Sequence, residues 1–420
     1  MSTRPQTHYR SALIVVTTIF FMWGFITCLN DILIPHLKAV FSLNYAQTML
    51  IQFTFFGAYF IMSLPMGKLL AKVGYKNAIS LGLLIAAIGA VMFYPAAKAP
   101  SYPLFLTALF VLASGVTMLQ VAANPYVSML GPEDSASSRL NLAQAFNSLG
   151  TTIAPYFGGM LILGAAVLGA SELAEMSQAD RMAYRIQQAH SVQTPYLLLA
   201  VVLAALAVVI YLWKLPNFKD QVRDDSPRDN VTAAEALRHP HVLFGVIGIF
   251  CYVGAEVSIG SFMINYLSLP EIGNMSESSA ASYVGYYWGG AMIGRFIGSA
   301  LMQKIRPSLL LGLFAIVAAL LVITTMLTSG HLAMWSIVAI GLFNSIMFPT
   351  IFTLGIAKLG PLTSKASSLL IMAIVGGAIL PVAQGALADT FGIHHAFILP
   401  LICYLFIAFY GFRGSRVVAS

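Results

Sequence analysis

The sequence predicts an all-α integral membrane protein of twelve transmembrane helices arranged as two six-helix bundles. Three observations predict it: an apolar composition, twelve apolar stretches of spanning length, and a repeat relating the first six to the last six. The 420 residues are 59% hydrophobic and only 9% charged, with a mean hydropathy of +0.83. A soluble domain carries about a quarter charged residues, so lipid is the solvent that can cover this surface. The net charge of +7 does not point to nucleic acid, because the basic residues form no patch with interleaved aromatics.

A spanning helix needs roughly 20 mainly apolar residues. Spans are predicted near 11–37, 46–70, 77–97, 102–130, 140–168, 193–213, 240–268, 279–303, 308–328, 331–357, 366–388 and 395–412. They are long and continuous, unlike the short alternating segments of a membrane β-barrel. The basic N-terminus MSTRPQTHYR leads into an apolar run too long for a signal peptide, so it reads as a retained first helix. Cys28, Cys251 and Cys403 fall inside apolar runs without metal-ligand spacing and read as core thiols.

Loop charges set the expected orientation. With the N-terminus inside, Lys68, Lys72, Lys76, Arg139, Lys214, Lys219, Arg223, Lys304, Arg306, Lys358 and Lys365 all fall on the cytoplasmic side, whereas Lys38, Lys98, Arg181 and Arg185 fall outside. This asymmetry follows the positive-inside rule and places both termini in the cytoplasm. Residues 11–213 then form the first bundle, 214–239 a polar cytoplasmic linker, and 240–413 the second bundle. SELAEMSQADRMAYRIQQAHS, 171–191, is a polar insertion on the outer side.

The repeat supports that division. QVAANPYVSMLG (120–131) aligns with NSIMFPTIFTLG (344–355), pairing Pro125 with Pro349 and Gly131 with Gly355 at an offset of 224. After a short gap the offset becomes 226, pairing Arg139 with Lys365, Gly150 with Gly376 and Pro155 with Pro381. Six-helix repeats about an axis along the membrane normal characterise one large transporter architecture.

An offset of 225 carries Asp31, in FITCLNDILIP, onto Glu256, in CYVGAEVSIG. A carboxylate inside the membrane costs at least a few kcal/mol, so such residues face a cavity, find a partner or carry function. The bland alternative is that they meet water near the outer mouth. In a cavity, each could carry a proton or stay ionised and bind Na⁺ with amide oxygens, for which Asn30 is a candidate; the sequence leaves both open. Apart from that possible Na⁺ no metal site is expected, and no cofactor.

Span four offers Gln120 and Asn124 on one face; span five offers Asn141, Gln144, Asn147, Ser148 and Thr151 at spacings of three and four. The second half adds Asn265, Asn344 and Gln384. Amides both donate and accept, which suits a neutral polyhydroxylated solute, although interhelical hydrogen bonding is the competing use. Gln120, Asn124, Asn141, Gln144, Asn147 and Asn344 are the substrate-binding candidates, with Trp288 of YVGYYWGG to stack on or close over a ring. Arg295 reads as a gate partner or a snorkelling cation. Neither a P-loop nor a Ser–His–Asp or zinc pattern stands out, so neither an ATP-driven pump nor an enzyme is expected.

NDILIPHL, LQVAANPYVSMLGPE, RLNLAQAFNSLG, SVQTPY, CYVGAE, IGRF and FPTIFTLGI resemble the fucose–proton symporter family of the major facilitator superfamily, over nearly the whole chain. The resemblance implies a monosaccharide transporter working by alternating access with a coupling cation, H⁺ or Na⁺, in a bacterial inner membrane. Asp31 matches the family's helix-one aspartate, implicated in coupling. Two departures bear on substrate. LQVAANP carries Gln120 where the fucose branch has a functional glutamate, and Glu256 stands where that branch has glutamine. YVGAE resembles the glucose/galactose branch, which makes a glucose/galactose-type hexose the expected substrate, with N-acetylglucosamine and fucose as alternatives. Beyond the sugar and membrane lipid, no nucleic acid or obligatory protein partner is expected. A multidrug exporter would favour an apolar pocket over an amide stripe, and a non-transporting sugar sensor has no attached signalling domain to support it.

Overall fold

The computed structural model describes residues 6–41, 45–98, 101–161, 176–213, 215, 216, 218 and 232–417. Among them are twelve long helical segments: α1 Gln6–Phe41, α2 Tyr45–Val73, α3 Tyr75–Lys98, α4 Tyr102–Met129, α5 Ala136–Leu161, α6 Gln193–Leu212, α7 Pro240–Leu267, α8 Glu277–Leu301 and α9 Pro307–Leu327, then α10 Gly330–Gly355, α11 Gly360–Phe391 and α12 Ile393–Gly414. Each coincides with a predicted span. The described residues contain no strand. Most of the 214–239 segment lies outside them, whereas the polar insertion contributes a helix over Gln178–Ser191.

Local chemistry sets the helix ends. Prolines open α7 and α9 and sit in the first turn of α4, where a missing N–H costs nothing because that donor has no intrahelical partner. Gly74 (φ 79) and Gly392 (φ 84) terminate α2 and α11 at a positive φ that glycine adopts without a Cβ penalty, so each helix stops and the next begins one residue on. On the outside, Leu327 is 78% exposed, and Leu212, Ile14 and Val201 are similarly bare. Apolar side chains in that number at the surface are a belt for acyl chains.

In the first half, α1 packs on α5, α3 on α4 and α6, and α2 on α4; in the second, α7 packs on α10, α11 and α12, α8 on α10, and α9 on α10 and α12. Two sets of contacts cross between halves: α5 meets α8 and α10, and α11 meets α2 and α4. The glycines paired by the repeat do equivalent work. A Cβ on Gly150 would lie 2.2 Å from the Phe21 carbonyl oxygen of α1, and one on Gly376 would lie 2.2 Å from the Phe250 carbonyl oxygen of α7. Helix five therefore touches helix one as helix eleven touches helix seven, backbone to backbone. Small residues at such crossings supply close packing where lipid offers no hydrophobic drive.

Candidate functional site

Two buried polar clusters face each other's halves. In the first, Gln120, Asn124 and Gln144 come together from α4 and α5, all 5% exposed or less. The Gln120 amide nitrogen donates to the Tyr59 hydroxyl at 3.0 Å, and the Gln144 amide nitrogen donates to Asn124 Oδ1 at 3.4 Å. Gln120 Oε1 and Asn124 Nδ2 have no hydrogen-bond partner among the described residues. An unsatisfied buried group costs about 1–3 kcal/mol, so this acceptor and donor are standing capacity for a ligand that can do both.

The other two amides expected on that stripe direct their donors elsewhere, and Asn141 Oδ1 has no hydrogen-bond partner among the described residues. Asn141 donates to its own Ser137 carbonyl at 2.9 Å and across the halves to Thr350 Oγ1 at 3.3 Å. Asn147 donates to the Phe20 carbonyl of α1 at 2.9 Å, at a crossing where a Cβ on Gly24 would come within 2.0 Å of the Asn147 carbonyl oxygen. The structure thus joins Gln120, Asn124 and Gln144 and places Asn141 and Asn147 in helix-to-helix bonds. Asn30 and Asp31 belong to α1, but their side chains lie outside the described residues.

The second cluster surrounds Glu256, which is 9% exposed. Tyr252, one turn earlier on α7, donates its hydroxyl to Glu256 Oε1 at 2.6 Å. The Tyr287 hydroxyl of α8 donates to the Glu256 carbonyl oxygen at 3.4 Å and accepts from the Asn344 amide at 2.6 Å. Tyr404 of α12 is fully buried, and its hydroxyl and Asn344 Oδ1 have no hydrogen-bond partner among the described residues. Arg295 of α8 is the cation within electrostatic range of Glu256 and Tyr252, although it forms no ion pair with Glu256. The sequence singles out Glu256, Asn344 and, within YVGYYWGG, Trp288, but neither Tyr287 nor Tyr252 is among its site candidates. The available signal was spacing: Tyr252 and Glu256 are four residues apart and share a helix face.

Arg295 also reaches across the halves. Its guanidinium bonds the Ser148 hydroxyl and, at 3.4 Å, the Gln144 carbonyl oxygen, both on α5. Its Nε donates to the Ser345 carbonyl oxygen of α10 at 3.1 Å. That carbonyl is free for a covalent reason. Pro349 lies four residues on and has no N–H to return, so the helix breaks at 345–346. Pro125, its repeat mate, does the same to Val121, whose carbonyl oxygen accepts from the Ser367 hydroxyl of α11 at 2.9 Å. Each proline therefore manufactures an acceptor, one for the arginine and one for the opposite half.

Small hydroxyls complete the two seams. Ser137 and Thr353 share a hydrogen bond of 2.6 Å; Ser138 and Ser299 each donate to the other's carbonyl oxygen, at 2.7 and 2.9 Å. Ser364 donates to the Gly67 carbonyl oxygen at 3.2 Å. Ser138 and Ser364, and Asn141 and Ser367, stand 226 residues apart, so the seams are built from repeat-equivalent positions. All these bonds lie toward the end carrying 130–135 and 302–306. Among the described residues no ion pair crosses the seams; the pair that forms, His394 to Glu271 at 3.8 Å, is within the second half. A cavity of about 900 Å³ opens beyond the seams between Glu133, Lys304 and Lys358, away from both clusters.

Trp288 occupies an edge of this arrangement. Met292, Arg295 and Ser299 of α8 all contact α5, and Trp288 lies one turn further along the same stripe. It is 41% exposed and meets Tyr287 edge-on at 5.1 Å between ring centroids.

Comparison with known proteins fits this architecture. Residues 13–374 match the model of the Major Facilitator Superfamily. A glucose/galactose transporter of Brucella abortus is 55% identical, over 99% of this chain and 96% of that one. The L-fucose-proton symporter of Escherichia coli is 37% identical, over 97% and 93%. A crystal structure of the Major Facilitator Superfamily transporter FucP in the outward conformation superposes with a TM-score of 0.91 at 36% identity, covering 98% of this chain and all of that one. The chain belongs to the Major Facilitator Superfamily, within the group that holds these glucose/galactose and fucose carriers.

Proposed function

We propose that the protein is a secondary active transporter that takes up a monosaccharide of the glucose/galactose type with a coupling cation. The single observation that carries this reading is the Glu256–Tyr252–Arg295 assembly. It is a buried carboxylate whose nearby cation is docked on the opposite half, so that occupancy of the acid bears on the contact between halves. The transporters this chain resembles move glucose, galactose or L-fucose. The E. coli relative is a proton symporter, which supports H⁺ as the coupling ion; Na⁺ at Asp31 or Glu256, with Asn30, is the alternative. Glu256 rather than a helix-four acid supplies the second carboxylate, because Gln120 occupies that place.

Residues 11–213 and 240–413 act as the two rocking bundles, joined by the cytoplasmic linker 214–239. Sugar binds between them against Gln120, Asn124, Gln144 and Asn344, with Trp288 at the edge of the site and Arg295 as the gate. Asn141 and Asn147 contribute by holding helices in register. The hydroxyl seams close the cytoplasmic side, which agrees with an outward-facing state in a bacterial inner membrane. Alternating access follows when the seams part and the outer ends close around the bound sugar.

The test is uptake of labelled glucose, galactose, L-fucose and N-acetylglucosamine into proteoliposomes, with ΔpH and a Na⁺ gradient imposed separately. Accumulation of a hexose with ΔpH alone is the expected result. Accumulation with Na⁺ alone would replace the coupling ion, and no accumulation of any sugar under either gradient would overturn the function.

A further inference from the structure

Two side chains outside the clusters above are fully buried and unspent. Gln384 of α11 and Ser258 of α7 are both 0% exposed. Both amide atoms of Gln384 and the hydroxyl of Ser258 lack a hydrogen-bond partner among the described residues. Three idle polar atoms at one level of a transmembrane bundle stand against the general rule that such groups are satisfied.

The packing of α7 on α11 shows that they oppose each other. Gly376 touches Phe250, and four residues further along both helices Leu380 fills the space over Gly254. Another four residues bring Ser258 and Gln384 to the next rung, on the same two faces. Beyond them Phe262 closes over Gly385 at 3.5 Å. The rung is therefore floored by Leu380 and capped by Phe262, with a hydroxyl on one wall and a primary amide on the other. Neither group bonds the other and both are closed to solvent here, so a bridging hydroxyl that donates and accepts at once reaches them where the two helices part. Pro381, inside α11, removes one helix bond three residues before Gln384 and gives the outer part of the helix freedom to swing away.

We infer that Ser258 and Gln384 form a sugar-hydroxyl subsite in the second half, opposite the Gln120–Asn124–Gln144 amides. The inference rests on the monosaccharide reading above and deepens it: the substrate is gripped by amides from both halves. Apposed grips of this kind make closure around the sugar depend on the sugar's own hydroxyls. The same chemistry could come from an ordered water, and the test separates the two sources.

The experiment measures thermal stabilisation of purified protein by titrated D-glucose, D-galactose, L-fucose and N-acetylglucosamine, for wild type, Gln384→Leu and Ser258→Ala. Ser258→Ala removes one atom and guards against misfolding in the larger change. The expected result is a half-saturating hexose concentration raised about tenfold or more in Gln384→Leu and several-fold in Ser258→Ala, with sugar-free melting temperatures equal to or above wild type. A water-filled or idle cell gives raised melting temperatures with wild-type sugar affinity, and that result overturns the inference while leaving the function standing. No stabilisation of the wild type by any of these sugars overturns the function reading and this subsite with it.

Discussion

The two buried clusters are made from different chemistry although they sit on repeat-related halves. The first-half cluster is neutral: three amides and Tyr59, with one acceptor and one donor left over. The second-half cluster is charged and wired: Glu256 takes a phenol hydroxyl, a second phenol bonds its backbone, and Asn344 completes the chain. The difference teaches a division of labour. A neutral amide pair recognises a solute by donor and acceptor geometry but cannot register a cation. A buried carboxylate can, and Arg295, within electrostatic range of it, bonds the Gln144 carbonyl in the other cluster. Helix four carries the uncharged Gln120, and the buried acid of the described residues stands in helix seven, within electrostatic range of the arginine that spans the seam.

Substitutions can break that comparison, beginning with the charge. Glu256→Gln should abolish concentrative uptake, a loss of about a hundredfold or more in gradient-driven accumulation, while sugar counterflow survives. Equal loss of counterflow would show that Glu256 holds sugar rather than couples it. Arg295→Lys keeps the charge but loses the planar fork that bonds three acceptors at once. Maximal uptake should fall about tenfold with KM little changed, since the gate and not the sugar site is altered. Asn124→Leu removes an unsatisfied donor and the acceptor of Gln144. Its hexose KM should rise about five- to tenfold, and the melting temperature of the sugar-free protein should stay near wild type, since the idle Asn124 donor is traded for a Gln144 donor that has lost its acceptor. The smallest effect belongs to Ser367→Ala, which deprives the proline-freed Val121 carbonyl of its donor. About 0.5–1.5 kcal/mol of closed-seam stability should go, read as faster alkylation of a cysteine placed in the seam.

Much of this arrangement was legible before any coordinates. The twelve spans, the repeat pairs and the helix-one and helix-seven positions all follow from hydropathy and offset. The site was read less completely, for a physical reason. Helical spacing tells which residues share a face but not what the facing helix presents. Asn141, Gln144 and Asn147 look alike on the stripe, yet Asn141 meets a threonine, Asn147 meets a bare carbonyl at a glycine crossing, and only Gln144 meets another amide. The prolines show the same limit. Pro125 and Pro349 were matched by the repeat, whereas the carbonyls they release, at Val121 and Ser345, matter through Ser367 and Arg295, hundreds or dozens of residues away.

The seams of serine and threonine have a consequence for how the carrier switches. A hydroxyl that lets go of a carbonyl finds water at nearly the same enthalpy, so each bond biases the closed form by only about 0.5–1.5 kcal/mol. A handful of them sets the resting populations a few kcal/mol apart, within reach of one bound solute that favours one form over the other. Opening such a latch needs no desolvated ion pair to be torn apart, and ionic strength has little purchase on it. The resting balance is thus left for cargo and cation to tip.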